Sequence, residues 1–467
     1  MLGGPNKSYS RIATAAALGL MLGGYAMGTP AKAADLGGDC CADLEERVAE
    51  LEATTVRKGN KKVTVTVSGW VVKTMNWWDD GGGGNFAVGD KDYDLGSRLN
   101  ISGSATIAPG WSGGYNLTIL APADVFGFAA NQVNDLVNNN VSTLYSYIYV
   151  KSDTWGTLNW GTLSPASDNA AVLADISGTV IESNGPWFEG PGFFLRPSGN
   201  NGLAALTWTS FLSCNALGAG IGVDCWGAAQ PAVRYDTPTF GGFRVETSYG
   251  TNTFSGAGVI PSSSNNFWDI AAFYNGDWGD FKVSAAYSYT WVETAVFTST
   301  QSDINQAGAT VMHVPTGLGL YGMYQNEDAA GAPTTDAWYL KPFIKRTWNP
   351  LGATILYGEW ARYDDQYASL VGADICAAGG FGLGTGVGAF CGGNAANTVA
   401  VNGSEMERFG LGVVQEIDSA AMHLFARWQH QDADVDFVGT NVNGVNSSVR
   451  QDFENWDLFQ LGGIIFF

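Results

Sequence analysis

The 467-residue chain is short of charge. Asp, Glu, Lys and Arg make up 14% of it, against roughly 25% in ordinary soluble domains. A soluble multidomain protein of this length would carry more. Long apolar runs are also missing. After the N-terminus nothing approaches the roughly 18 apolar residues that a spanning helix needs, and the mean hydropathy is −0.01. A bundle of membrane helices is thereby excluded. Histidine is scarce. His313, His423 and His430 are the whole supply, and none sits in a nucleophile or zinc motif, so an enzyme is a poor fit and no metal or cofactor is implied. Bases are few as well. The chain has 23 Lys and Arg against 44 Asp and Glu, a formal charge of −21. Phosphates would be repelled, which argues against a nucleic-acid partner.

Aromatics, by contrast, are abundant at 13%, with 17 Trp, and Gly occurs 63 times. Low charge, many aromatics and near-zero hydropathy suit a β-sheet with one oily and one wet face. The ending "FQLGGIIFF" makes the same point. Phe459, Leu461, Gly463, Ile465 and Phe467 alternate with other residues, which is the period of a strand with one apolar face. A terminus usually frays into water, so this face is expected to meet lipid in a barrel that has no free edge.

Residues 1–33 read as a secretory signal peptide. Lys7 and Arg11 form the positive region, "IATAAALGLMLGGYAM" the apolar core, and "AKA" the cleavage site. Removing them deletes three bases (Lys7, Arg11, Lys32) and no acid, so the charge moves from −21 to −24. Residues 35–61 are charged and helical in period. Leu44, Val48 and Leu51 make a short heptad seam. This is either a solvated amphipathic helix or a short coiled coil between subunits already joined elsewhere, since two heptads are too short to stand alone.

From Lys62 onward, alternating runs dominate. We count sixteen candidate strands, from "KVTVTVSGWVVKTMNWW" to "NWDLFQLGGIIFF". Short connections such as "DTW", "GDWG", "PTG" and "NPLG" alternate with long ones, among them 79–91, 122–142, 364–404 and 432–451. Seven short turns and eight long loops close a 16-stranded antiparallel transmembrane β-barrel (62–467) with both ends on the short-turn, periplasmic side. The stretch of about 163–230 is a long irregular connection, too long to be passive filler. "WWDDGGGGN" lacks the regular oxygen spacing of a calcium loop and reads as a loop tip.

At "VRYDTPTFGGFRVETSYG" and "HVPTGLGLYGMYQN" the chain resembles the porins of alphaproteobacteria. "DCCADLEERVAELEATT…SGW" looks like the N-terminus of their rhizobial branch, and the terminal Phe467 fits the family. The resemblance implies a homotrimeric 16-stranded outer-membrane pore, narrowed by an inward third loop, that carries small hydrophilic solutes and ions.

Parity agrees and assigns charges. Arg98, Arg234, Arg244, Lys282 and Arg427 fall opposite the apolar faces of their strands, so they are expected to line the pore. A cation facing hydrocarbon at mid-depth would cost about 2–4 kcal/mol. The third loop carries Asp168, Asp175, Glu182 and Glu189, expected to oppose those bases and favour cations weakly. "ATILYGEWARY" is ambiguous, so Glu359 and Arg362 are not assigned. Export permits disulfides, and we expect Cys214–Cys225 and Cys376–Cys391, each a local pair. Cys40 and Cys41 are adjacent and unassigned. A substrate-specific outer-membrane transport channel, which would need an aromatic track in the lumen, is the main alternative. A secreted soluble β-protein is a third.

Overall fold

The computed structural model describes residues 62–467 apart from 92–94, 122–125, 127–129, 134–140, 184–189, 191, 200–201, 205, 209–228, 252–265, 296–298, 331–332, 367–398 and 441–445. The expected signal peptide, the expected helix over 35–61, all six cysteines and Glu189 lie outside the described residues.

Among the described residues, eighteen strands form one antiparallel sheet. The first six are β1 (Thr64–Asp79), β2 (Gly84–Gly89), β3 (Arg98–Ala108), β4 (Trp111–Leu120), β5 (Ser142–Ser152) and β6 (Gly156–Leu163). Next come β7 (Gln230–Asp236), β8 (Phe243–Thr251), β9 (Asn266–Trp278), β10 (Phe281–Ala295), β11 (Ser299–His313) and β12 (Leu318–Ala329). The last are β13 (Thr335–Asn349), β14 (Gly352–Asp364), β15 (Val399–Ile417), β16 (Met422–Thr440), β17 (Asn446–Asp452) and β18 (Trp456–Phe466).

These segments make sixteen wall strands, because two strands are broken. β1 pairs with β3 along its first half and β2 along its second, and β16 likewise pairs first with β18 and then with β17. β1 also pairs with β18, from Trp70↔Phe466 to Asp79↔Asp457, which closes the barrel. Tight turns join β3–β4, β5–β6, β7–β8, β9–β10, β11–β12, β13–β14 and β15–β16 at one rim.

Closure satisfies the backbone without an edge, and the side chains alternate as expected. On β18, Phe459 and Ile465 are 45% and 46% exposed, while Leu458, Gln460 and Ile464 are fully buried. The outer face carries an aromatic band, in which Trp77 packs on Phe86 at 4.9 Å and Phe459 at 5.8 Å.

Two strand pieces escaped the sequence reading. β2 sits inside the expected loop 79–91, where the run Gly81–Gly84 masks the strand. β16 extends to Thr440 and β17 follows, inside the expected loop 432–451. There the polarity inverts. Ala433, Val435 and Phe437 are buried inside, whereas Asp432, Asp434 and Asp436 face out. Above the aromatic band the outer surface meets water, so an outward aspartate is comfortable.

Each break is filled by chain from within. At the first, Val72 N–H donates to Ser97 Oγ at 3.1 Å, and Ser97 Oγ–H donates to Asp90 at 2.8 Å. At the second, Glu454 N–H donates to the Arg196 carbonyl at 2.7 Å, and Ser198 N–H to the Asp452 carbonyl at 3.0 Å.

Candidate functional site

The loop after β6 runs round the inside of the wall. Its path can be followed strand by strand. The Ser164 carbonyl accepts from Arg234 on β7 at 2.7 Å. Ala166 N–H donates to Ser248 on β8 at 3.0 Å, and Ser167 donates to Asp269 on β9 through both its N–H and its hydroxyl. Thr290 on β10 donates to Ser167 Oγ at 2.7 Å, Thr310 on β11 to the Ala174 carbonyl at 2.7 Å, and Tyr321 on β12 to the Ala171 carbonyl at 3.0 Å. Asp175 pairs with Lys341 on β13 at 2.5 Å. Further on, Phe193 packs on Trp456 of β18 and Trp78 of β1, and Arg196 pairs with Asp80 at 2.9 Å. A segment that touches buried side chains on strands from β7 round to β1 can lie only inside the barrel.

The contact is partly dry. Ala166, Ala170, Ala171, Val172, Leu173 and Ile181 are buried in one cluster with Tyr321, Tyr339, Ile355 and Tyr357 of the wall. The approach is closest at Gly308, where an added Cβ would sit 2.3 Å from the Ala171 carbonyl oxygen. Any side chain there would lift the loop off β11.

Glu359 is the hub of the charged part. Its Oε1 accepts from Arg408 at 2.6 Å and Arg427 at 3.0 Å, and its Oε2 from Ser183 at 2.6 Å and Tyr339 at 2.8 Å. Arg427 also donates to the Glu182 carbonyl at 2.8 Å, while the Glu182 carboxylate lies 2.7 Å from His423 Nδ1. Lys341 adds a bond to the Ser183 carbonyl at 2.8 Å. Loop and wall are therefore joined by full charges in a buried setting, where removing one partner is expensive.

A profile described as Gram-negative porin matches residues 26–375, well over half of the 467. The chain belongs to the Gram-negative porin family. The porin fold is seen again in an anion-selective porin from Comamonas acidovorans, at 16% identity and a TM-score of 0.53, covering 87% of this chain and 100% of that one. OmpT of Vibrio cholerae (12%, TM-score 0.49, 89% and 100% covered) and OprB of Pseudomonas putida (12%, 0.48, 91% and 97%) are also similar. No curated protein matches in sequence. The family and the closed barrel make this an outer-membrane channel.

In this porin the expected wall bases lie on the buried inner face or at its lower end. Arg98 stacks 4.4 Å above the Trp70 ring. Arg234 clasps Asp236 with bonds of 2.7 and 2.9 Å. Arg244 pairs with Glu246 at 2.8 Å and lies over Phe273. Lys282 is half-buried and stands opposite Asp277 in the ladder. Arg427 belongs to the Glu359 hub.

The acids of the loop are bound to neighbours. Asp168 accepts from Ser164 and Asn169, and Asp175 and Glu182 are held by Lys341 and His423. Of the expected four, Glu189 lies outside the described residues. The geometry thus differs from four acids facing wall bases across open water. The charges named for the wall and for the first part of the loop offset each other: Arg98, Arg234, Arg244, Lys282, Lys341, Arg408 and Arg427 against Asp168, Asp175, Glu182, Asp236, Glu246, Asp269 and Glu359.

The negative charge instead collects on the outer surface of the long-loop rim. Asp336, Asp364, Glu405, Glu407, Asp434 and Asp436 share the outward parity of Trp338, Trp360, Phe409 and Trp428. Arg362 and Arg450 stand among them. At the tight-turn end, inward positions open to water: Lys151 is exposed, and Ser68, Ser104, Tyr149, Arg244 and Lys282 are half-buried.

Sequence reading missed Glu359, Lys341, Arg408 and His423. For two of them the signal was present. Leu340 and Pro342 face out, which leaves Lys341 inside, and Phe409 and Leu411 do the same for Arg408. Among the described residues no group of His, Cys, Asp or Glu could hold a metal ion.

Proposed function

We propose that this porin is a passive diffusion channel for small hydrophilic solutes and ions, weakly cation-preferring and homotrimeric. The observation that carries the reading is the loop that circles the inner wall and narrows a closed barrel with charged inner residues. The weak cation preference is supported by the acidic outer rim, since the inner charges named above nearly cancel. A potential at the mouth concentrates cations within about a Debye length, roughly 10 Å at 0.1 M salt.

The same reading includes export by residues 1–33, a periplasmic helix at 35–61, and affinity to the alphaproteobacterial, rhizobial-type branch. It rests on the sequence motifs already quoted. A substrate-specific channel is less well supported. The inner rings Trp78, Phe126, Phe193 and Trp456 pack on one another at 4.9–6.4 Å as a buried cluster rather than as a track along the lumen.

Planar-bilayer recording of the purified protein tests the proposal. Stepwise conductance in groups of three and a small cation-directed reversal potential in a salt gradient are expected. A protein that never conducts, or that stays soluble without detergent, overturns it.

A further inference from the structure

Three histidines serve the whole chain, and one of them grips the inner loop. His423 is the second residue of β16, on the inner face near the tight-turn rim. Its Nδ1 lies 2.7 Å from the Glu182 carboxylate, and 21% of its side-chain surface is uncovered against 1% for Glu182. The other two stand on the outer face, away from the loop. His313 contacts Thr316 at 2.8 Å and His430 contacts Asp457 at 3.0 Å.

The charges around His423 run in a row across the wall. Glu416 on β15 stands directly opposite it in the ladder, and Lys345 on β13 holds Glu416 at 2.6 Å. The loop lies over this row, since an added Cβ at Gly178 would sit 2.8 Å from Lys345 Nζ. β18 faces the imidazole with Ile464 and the edge of the Phe466 ring, at 5.1 Å, and brings no charge. On the same strand, Arg427 donates to the Glu182 carbonyl. Among the described residues, no Lys or Arg forms an ion pair with the Glu182 carboxylate. A buried carboxylate needs a positive partner, and here that partner titrates near neutral pH. With the imidazole protonated, Lys345, Glu416, His423 and Glu182 sum to zero. With it neutral they sum to −1, and Glu182 stays buried beside an uncharged ring.

We propose that His423 is a proton-controlled anchor of the inner loop. Protonated, it holds Glu182 and seats the loop on β13–β16. Neutral, it lets this stretch lift from the wall, and the channel widens. Seating thus takes up a proton, so the stabilisation is present while the imidazole is charged and is lost as pH rises through its titration. A single proton also sets a limit: the ratio of lifted to seated channels changes by at most about ten-fold per pH unit. The inference rests on the reading of this porin as a channel narrowed by the loop.

The test records single channels of the full-length protein in planar bilayers from about pH 5 to 9. The wild type should pass from a quiet, lower conductance to a higher one as pH rises, with the ratio of the two levels changing no more than about ten-fold per unit. His423→Gln should stay at the higher level throughout. His423→Lys, whose charge persists, should stay at the lower level, and His430→Gln should titrate like the wild type. With three histidines in the chain, imidazole NMR signals in detergent give a second reading: the signal lost in His423→Gln should shift in Glu182→Gln. A wild-type conductance independent of pH, a His423→Gln channel that titrates like the wild type, or a His423 signal unmoved by Glu182→Gln would each overturn the anchor and leave the channel reading intact. Absence of conductance at every pH would overturn both.

Discussion

Glu359→Gln should both loosen the loop and turn the channel toward anions. The substitution keeps the shape of the side chain but removes the charge that two guanidinium groups share at 2.6 and 3.0 Å. Arg408 and Arg427 are then left buried beside an amide. Breaking a buried pair from one side typically costs about 3–5 kcal/mol. A barrel of some 400 residues has an unfolding entropy of about 0.8 kcal/mol/K, so the transition should fall by about 5 °C. The selectivity effect follows from the same charge. One added positive charge about 10 Å from a passing ion contributes roughly 0.4 kcal/mol in water, opposing cations and favouring anions. The cation-to-anion ratio should therefore drop about four-fold in dilute salt. Heat-dependent gel mobility reads the first effect and the reversal potential in a salt gradient reads the second. If neither moves, Glu359 is not what couples loop and wall, and the reading of the cluster is wrong.

Four other outcomes are expected. Replacing Glu405 and Glu407 with Gln and Asp434 and Asp436 with Asn should move the reversal potential toward zero at 0.1 M salt. It should change little at 1 M, where screening acts within about 3 Å; equal effects at both would show that the rim does not set selectivity. Gly308→Leu should displace the loop from β11 and raise single-channel conductance, and unchanged conductance would mean the loop tolerates the clash without leaving the wall. Burial alone would raise the Asp80 carboxyl, but hydrogen bonds from Arg196, Gln132 and the Gly82 N–H hold it below the usual carboxylate range. Such a group adds stability above its unfolded pKa of about 3.9, lost as pH falls through the folded value. Channel noise should thus stay flat from pH 7 to about 4, whereas Asp80→Asn should be noisy already at pH 7. Non-reducing peptide mapping should find Cys214 linked to Cys225 and Cys376 to Cys391, and four free thiols would refute the pairing.

Most of the wall could be read from the sequence because lipid enforces a simple rule. Where one face meets hydrocarbon and the other meets polar groups, the alternation is plain, as at Val233–Arg234–Tyr235 and Phe243–Arg244–Val245. The rule gives way where the inner face is not wet. On β14 the inward residues are Ile355, Tyr357, Glu359, Ala361 and Tyr363, and the outward ones are Leu356, Gly358, Trp360 and Arg362. Neither set is the more polar, so parity could not be chosen, and the carboxylate that holds Arg408, Arg427 and Ser183 together went unassigned. The cause is the loop: Ile181 and Ser183 dock on this strand and its neighbours, and a docked wall is selected for packing rather than for contact with water. β16 shows the converse, since its upper part turns its acids outward above the membrane and looks like a loop. An ambiguous strand between unambiguous ones is thus itself informative. It marks a place where the inner loop makes a dry contact rather than a polar one, and in this porin that place is β14. The charges of the loop could be listed from the sequence but not their partners, because Asp175–Lys341 and Glu182–His423 join segments about 170 and 240 residues apart, and only closure of the barrel brings them within reach.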